Sequence, residues 1–194
     1  MDKAGVVFAL LTVFTVMLGS WFFAGVHVSM TTEEVEYRVM YELEEDVEVR
    51  KYDELTVIST SANNQNDAFS VLASYIFGNN AGKKKIDMTS PVITSESDNV
   101  VNMSFVLPAE YNIDNAPDTE NPEISIQAIP ARKVAVIRFS GYAKDEIIEK
   151  KRSVLSSQLA DNGIVTTGDF FLMQYNPPWV PPTLMRNEVA IEVE

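Results

Sequence analysis

The sequence predicts an α+β domain: a duplicated unit of antiparallel strands forming a curved sheet or distorted barrel with two helices packed on it, preceded by one N-terminal transmembrane helix. Three observations lead there. A charge-free apolar run extends from Ala4 to Val28. Several later segments alternate apolar and polar residues with the period of a half-buried strand. Two further stretches space their apolar residues as a helix does, and each ends near a glycine.

The N-terminal run AGVVFALLTVFTVMLGSWFFAGVHV holds no Asp, Glu, Lys or Arg. Roughly 20 apolar residues cross a bilayer core, so it is long enough to span one. Trp21, Phe22 and Phe23 sit toward its end, where an aromatic belt belongs. A cleaved signal peptide has a shorter core of about 7–15 residues and a small-x-small site, which Ala24-Gly25-Val26 matches poorly. The run is therefore read as a signal anchor, with residues 1–30 as anchor and 31–194 as the ligand-binding domain. Lys3 and the N-terminal amine flank one side, and Glu33, Glu34 and Glu36 the other. Counting basic residues gives a single-pass protein whose folded domain is extracytoplasmic.

After an acidic stretch, Val47 and Val49 alternate with Glu48 and Arg50, and Leu55 to Ile58 continues the β character. Asn63 to Asn66 is a polar break rich in capping residues. Phe69, Leu72, Ala73, Ile76 and Phe77 then follow at helical spacing, and Gly78 ends that helix. Lys85 to Met88 reads as strand. Val101, Met103, Phe105 and Leu107 form a period-2 face closed by Pro108. After a polar loop from Asn112 to Pro122 the order recurs. Ile124, Ile126 and Ala128 alternate, Val134 to Phe139 is a β-branched run, and a helix from Asp145 to Asp161 is stopped by Gly163. Phe171, Met173 and Tyr175, then Val189, Ile191 and Val193, supply the last strands. Strand-strand-helix-strand-strand thus occurs twice, a pattern that encloses a groove between helix and sheet.

Composition excludes several functions. The net charge of −13, from 15 Lys and Arg against 28 Asp and Glu, repels nucleic-acid phosphates, so nucleic acid is not an expected partner. Cysteine is absent, which removes disulfides and thiolate chemistry. The one histidine, His27, lies in the apolar run, so the rest of the chain has no triad or imidazole-based metal site. No catalytic residues and no metal-ligating group are assigned, and the chain is read as a binding protein rather than an enzyme.

Four stretches carry a resemblance. They are VEVRKY at 47–52, FSVLASYIFGNNAGKKKIDMTSPV at 69–92, VAVIRFSGYA at 134–143 and YNPPWVPPTLMRNEV at 175–189. The second is similar to the pattern F..L..YI.G.N....KI.MT.PV of the SOUL haem-binding family, and the fourth to its YNPPWTPPF.RRNEV. In order and spacing the four span residues 35 to 194, the whole soluble part. The resemblance implies two repeated βαβ-type units forming a distorted antiparallel β-barrel with two helices, a fold shared with effector-binding domains of bacterial multidrug-responsive regulators. It also implies a membrane-anchored haem or tetrapyrrole binder, acting as carrier, buffer or sensor. Other hydrophobic or amphipathic small molecules, or a protein partner, are the alternatives. Three departures stand out: the soluble part has no histidine to ligate iron, Thr183 replaces an aromatic, and Met185 replaces an arginine.

Haem iron also accepts methionine or tyrosinate. Met88 is the first candidate, although Met88, Met103 and Met173 also read as strand core. Leu72, Tyr75 and Ile76 are the expected groove wall. Lys85, in the run Lys83 to Lys85, is placed to meet a propionate, against the plainer reading of a solvated loop. Trp179 among Pro177, Pro178, Pro181 and Pro182 reads as a rigid corner.

Overall fold

The computed structural model describes residues 3–194. Helix α1 (Lys3–Thr31) takes up the entire apolar run. Its Leu10–Val28 stretch is long and apolar enough to cross a membrane, a test that a signal sequence also passes. Leu10, Phe14, Met17 and Phe23 are exposed along it, with no protein core to cover them. The N-terminal amine and the Lys3 side chain, on which the orientation expectation rests, lie outside what is described.

The C-terminal part of α1 docks on the folded domain. Trp21 Nε1 donates to the Trp179 carbonyl at 2.6 Å. Gly25 is buried, and a Cβ there would stand 2.7 Å from Pro181 Cδ, so only glycine allows the helix this close.

The rest of the chain runs β1 (Glu33–Glu34), β2 (Tyr37–Glu42), β3 (Val47–Tyr52), β4 (Leu55–Ala62), α2 (Gln65–Ile76), β5 (Thr89–Ser90), β6 (Val92–Ser97), β7 (Val100–Val106), β8 (Ser125–Ile129), β9 (Arg132–Phe139), α3 (Asp145–Asp161), β10 (Thr166–Gln174) and β11 (Asn187–Val193), with a 3-10 turn at Pro182–Leu184. β1 and β5 form a short parallel pair. The other nine strands form one antiparallel sheet in the order β2-β3-β9-β11-β10-β6-β7-β4-β8.

This sheet does not close, which corrects the expected barrel. Its edges are β2 and β8, and they do not pair with each other. Both are built as edges. β2 carries Arg38 and Glu42 and breaks register between Val39 and Tyr41, and β8 exposes Ser125 and Gln127. Charge, polarity and a bulge are the devices that keep an edge strand from pairing. The sheet is nonetheless strongly curled. On its concave face Tyr52 of β3, Val57 of β4, Val106 of β7, Val134 of β9 and Met173 of β10 share one buried cluster.

Both helices lie on the opposite face. Asn64 caps α2 by accepting from the Asp67 amide at 2.9 Å, and Gly78 at φ +106° turns the chain away, a conformation that favours glycine. Leu72, Tyr75 and Ile76 bury that helix against Ile58, Met103 and Phe105. Leu155 and Leu159 bury α3 against Val47, Ile137 and Ile191. Full burial of each such side chain is worth about 1.5–3 kcal/mol. Because α2 packs on β4 and β7 while α3 packs on β9 and β11, the middle strands β6 and β10 lie between the helices.

Two local expectations are corrected. Lys85 to Met88 is not a strand: the Ile86 amide bonds the Ile76 carbonyl and the Asn80 side chain holds the Lys84 backbone, so the segment closes the end of α2. Phe77 lies past the helix and is exposed, and Phe69 is 43% exposed rather than packed under it.

Candidate functional site

The gap between the helices forms a groove over β6 and β10. Its larger part has a volume of about 380 Å³. Gln65, Asn66 and Phe69 of α2 form one wall. Tyr142 and Ala143, leading into α3, face them with the Asn176–Pro178 corner. Val92, Met103 and Gln174 form the floor, with Met88 and Met185 at the sides. The Phe69 ring stacks edge-on against Phe105 at 5.2 Å, which holds it at the rim. Thr32, the residue after α1, also lines the groove, so its mouth adjoins the end of α1.

A second part, about 310 Å³, continues past Gln65, which lines both. This end is polar. Glu96, Asp145, Glu149 and Arg152 line it, and Arg152 Nη1 bonds Glu149 Oε1 at 2.7 Å.

Two features of the groove concern ligands. Among the described residues no Asp, Glu, Lys, Arg or His lines its larger part, and Tyr142 is the exposed phenol there, since the Tyr175 hydroxyl turns away to Glu188. The buried hydroxyls of Thr89, in the larger part, and Thr94, in the smaller, have no hydrogen-bond partner among the described residues. Native proteins pair nearly all such atoms, so these two buried hydroxyls beside the groove are exceptions.

The concave face behind the groove is its opposite in chemistry. Glu188 of β11 is fully buried and accepts from Arg50 Nη1 at 2.7 Å and Nη2 at 3.1 Å, from Arg186 Nε at 2.9 Å and from the Tyr175 hydroxyl at 2.9 Å. Arg50 also bonds Glu48 at 2.6 Å, and Arg186 reaches Glu34 at 2.9 Å and the Tyr37 hydroxyl at 3.1 Å. Burial pushes the Glu188 carboxyl up, but the bonds and charges of Arg50 and Arg186 outweigh it and hold the group below the usual carboxylate range. Burial, and then the Glu188 charge, push the Tyr175 phenol well above its ordinary value. This cluster joins the strands after α1 to β3 and β11 and is structural.

The residues singled out in the sequence fall in three places. Met88 lines the groove. Leu72, Tyr75 and Ile76 are fully buried beneath α2 and line neither part of it. Lys85 lines a separate polar depression of about 300 Å³ with Lys84, Asp87 and Glu110. Periodicity did not reveal Phe69, Tyr142, Gln65, Thr89 or Thr94 as groove residues. Met185 was signalled only as a departure from the family pattern.

The model of the SOUL heme-binding protein family matches residues 32–192. The chain belongs to this family. Its fold also resembles solved structures of low sequence identity. The EcmrR C-terminal domain has a TM-score of 0.57 at 16% identity, covering 81% of this chain and 98% of that one. EcmrR in a DNA complex gives 0.59 at 15% identity, covering 76% and 57%. A hydrolase from Listeria innocua gives 0.56 at 12% identity, covering 79% and 94%. At these identities the likeness is one of fold. No curated protein sequence matches the chain. The SOUL family, a heme-binding family, suggests a binding rather than a catalytic role for this chain. Among the described residues no group of three or more His, Cys, Asp and Glu is placed to hold a metal ion.

Proposed function

We propose that this SOUL-family chain is a membrane-anchored binding protein, a carrier, buffer or sensor, that holds a tetrapyrrole in the groove between α2 and α3. Residues 1–30 are the anchor and residues 31–194 the binding domain. The basic N-terminal flank and the acidic residues after α1 support an extracytoplasmic domain. The element orders β4-α2-β6-β7 and β9-α3-β10-β11 support reading the domain as two repeated units.

The observation that carries the functional reading is the apolar groove itself, walled by Phe69, Tyr142 and Val92 and bordered by three thioethers, in a domain of a heme-binding family. A macrocycle face is apolar, and its burial is worth roughly 25 cal/mol per Å². Met88, Met103 and Met185 are the residues that would approach haem iron, a soft ligand set in place of histidine. Bound haem would supply redox or gas-binding chemistry, and the chain would supply burial and orientation.

A second reading, another amphipathic small molecule, is favoured by one observation: no basic side chain lines the larger part of the groove to meet the propionates. Titration of full-length protein in detergent distinguishes them. A saturable Soret shift with haem, matched by nearly equal binding of the metal-free porphyrin, supports the tetrapyrrole reading. If neither binds at micromolar concentration while an uncharged hydrophobic dye does, the second reading replaces it.

A further inference from the structure

We infer that the segment from Tyr175 to Met185, together with Tyr142, is a second membrane contact: it lies in the lipid interface beside α1, and the groove behind it opens toward the bilayer. The inference rests on α1 being a membrane span. Trp21 is seven residues before Val28, where the apolar stretch ends, about 10 Å along a helix that rises 1.5 Å per residue. Yet Trp21 donates to the Trp179 carbonyl, and Gly25 is in contact with Pro181. If Leu10–Val28 crosses the bilayer, the Trp179 loop lies level with the last two turns of the span. The domain is then seated on the membrane and not held away from it by a tether.

The composition of this surface fits that depth. No charged residue occurs from Tyr175 to Met185, in a chain that is 22% charged. Four prolines fix the loop, and Trp179 stands 47% exposed. The neighbouring stretch Phe139 to Ala143 is also free of charge. It is tied to the loop by the Gly141 amide, which bonds the Pro182 carbonyl at 2.9 Å, and Tyr142 is 52% exposed. Exposed Trp and Tyr level with the end of an apolar span are the side chains best suited to the headgroup region, with an apolar body and a polar tip. Lipid is the occupant to which this surface is matched, because the surface is continuous with the span itself.

One consequence concerns the ligand. Tyr142, Pro177 and Pro178 border both the groove and this surface, and Thr32 brings the end of α1 to the same mouth. The groove therefore receives a molecule dissolved in the bilayer, an amphipath that carries no charge where it contacts the larger part of the groove.

The chain has two tryptophans and no cysteine, so each position can be read singly. Full-length protein is placed in phosphatidylcholine vesicles whose acyl chains are brominated close to the headgroup. Trp21→Phe leaves only Trp179, and Trp179→Phe leaves only Trp21. Because the first variant removes the bond to the Trp179 carbonyl, a Thr183→Cys variant carrying an environment-sensitive fluorophore, with both tryptophans kept, reports the loop independently. The inference expects brominated lipid to remove most of the emission of Trp179 and of Trp21, and the Thr183 probe to shift to the blue. If Trp21 is quenched by bromine while Trp179 responds only to aqueous iodide and the Thr183 probe emits as in water, α1 spans the membrane and the second contact is wrong. If bromine quenches neither tryptophan, the span itself is wrong and the inference falls with it.

Discussion

The two faces of the sheet treat polar groups in opposite ways. On the concave face the chain buries a carboxylate and two guanidiniums and satisfies them: Glu188 receives bonds from Arg50, Arg186 and Tyr175, with Glu48 and Glu34 completing the set. On the helical face, among the described residues, β6 and β10 floor a groove whose larger part has no charged side chain, and the Thr89 and Thr94 hydroxyls beside it are without partners. Saturated polar clusters hold a fold together, whereas unpaired buried hydroxyls are exceptions in native proteins. The difference supports the proposed ligand site on the helical face, even though the most conspicuous charged residues lie on the other.

The largest expected effect tests the concave face. Glu188→Gln takes from Arg50, itself only 2% exposed, its buried charge partner and leaves it only the partly exposed Glu48. Breaking a buried pair from one side costs about 3–5 kcal/mol, measurable by denaturant unfolding of the full-length protein in detergent. The same carboxyl sets a pH dependence. Its value in the fold is lowered, so its contribution is complete above the ordinary carboxylate value and is lost as pH falls through the lower folded one. The stability gap between wild type and Glu188→Gln should therefore narrow below about pH 4. A gap unchanged to low pH would mean that Glu188 is not the ionised hub of this cluster.

A smaller effect of opposite sign is expected on the helical face. Thr94→Val removes an unpaired buried hydroxyl, and should raise stability by about 1 kcal/mol while weakening whatever ligand the groove holds. A loss of stability on this change would show that the hydroxyl is satisfied and the contrast between the faces is not real.

Much of the fold was legible because it depends on local patterns. The boundaries of α3 follow from its apolar spacing and the glycine at 163, and β7 and β9 from alternation and β-branched residues. The openness of the sheet was not legible, since closure depends on how edges meet and not on any strand's own pattern. Nor was the burial of Glu188. Its pairing with the nearby Arg186 is readable from the sequence, but Arg50, 138 residues away, is joined to it only by the sheet. The groove was partly visible. Met88 lines it, but helical periodicity marks what is buried and so led to Leu72, Tyr75 and Ile76 in the core, whereas Phe69 sits at the rim. The groove's walls come from segments far apart in the chain, such as those of Gln65, Tyr142 and Met185, and no one-dimensional pattern joins them.

The central claim, that the groove between α2 and α3 is the ligand site, is tested most directly by filling it. Ala143 lines the groove and is partly exposed, so Ala143→Trp can occupy the space without entering the sheet core. Haem, metal-free porphyrin and an uncharged hydrophobic dye are titrated into wild-type, Ala143→Trp and a Lys83, Lys84 and Lys85 triple-alanine protein, with thermal midpoints recorded alongside. The account predicts that Ala143→Trp abolishes saturable binding of whichever probe the wild type holds, at an unchanged midpoint, and that the lysine variant binds nearly as well as wild type. Unchanged binding by Ala143→Trp, with loss of binding in the lysine variant, would move the site to the polar depression at Lys84 and Lys85 and contradict it.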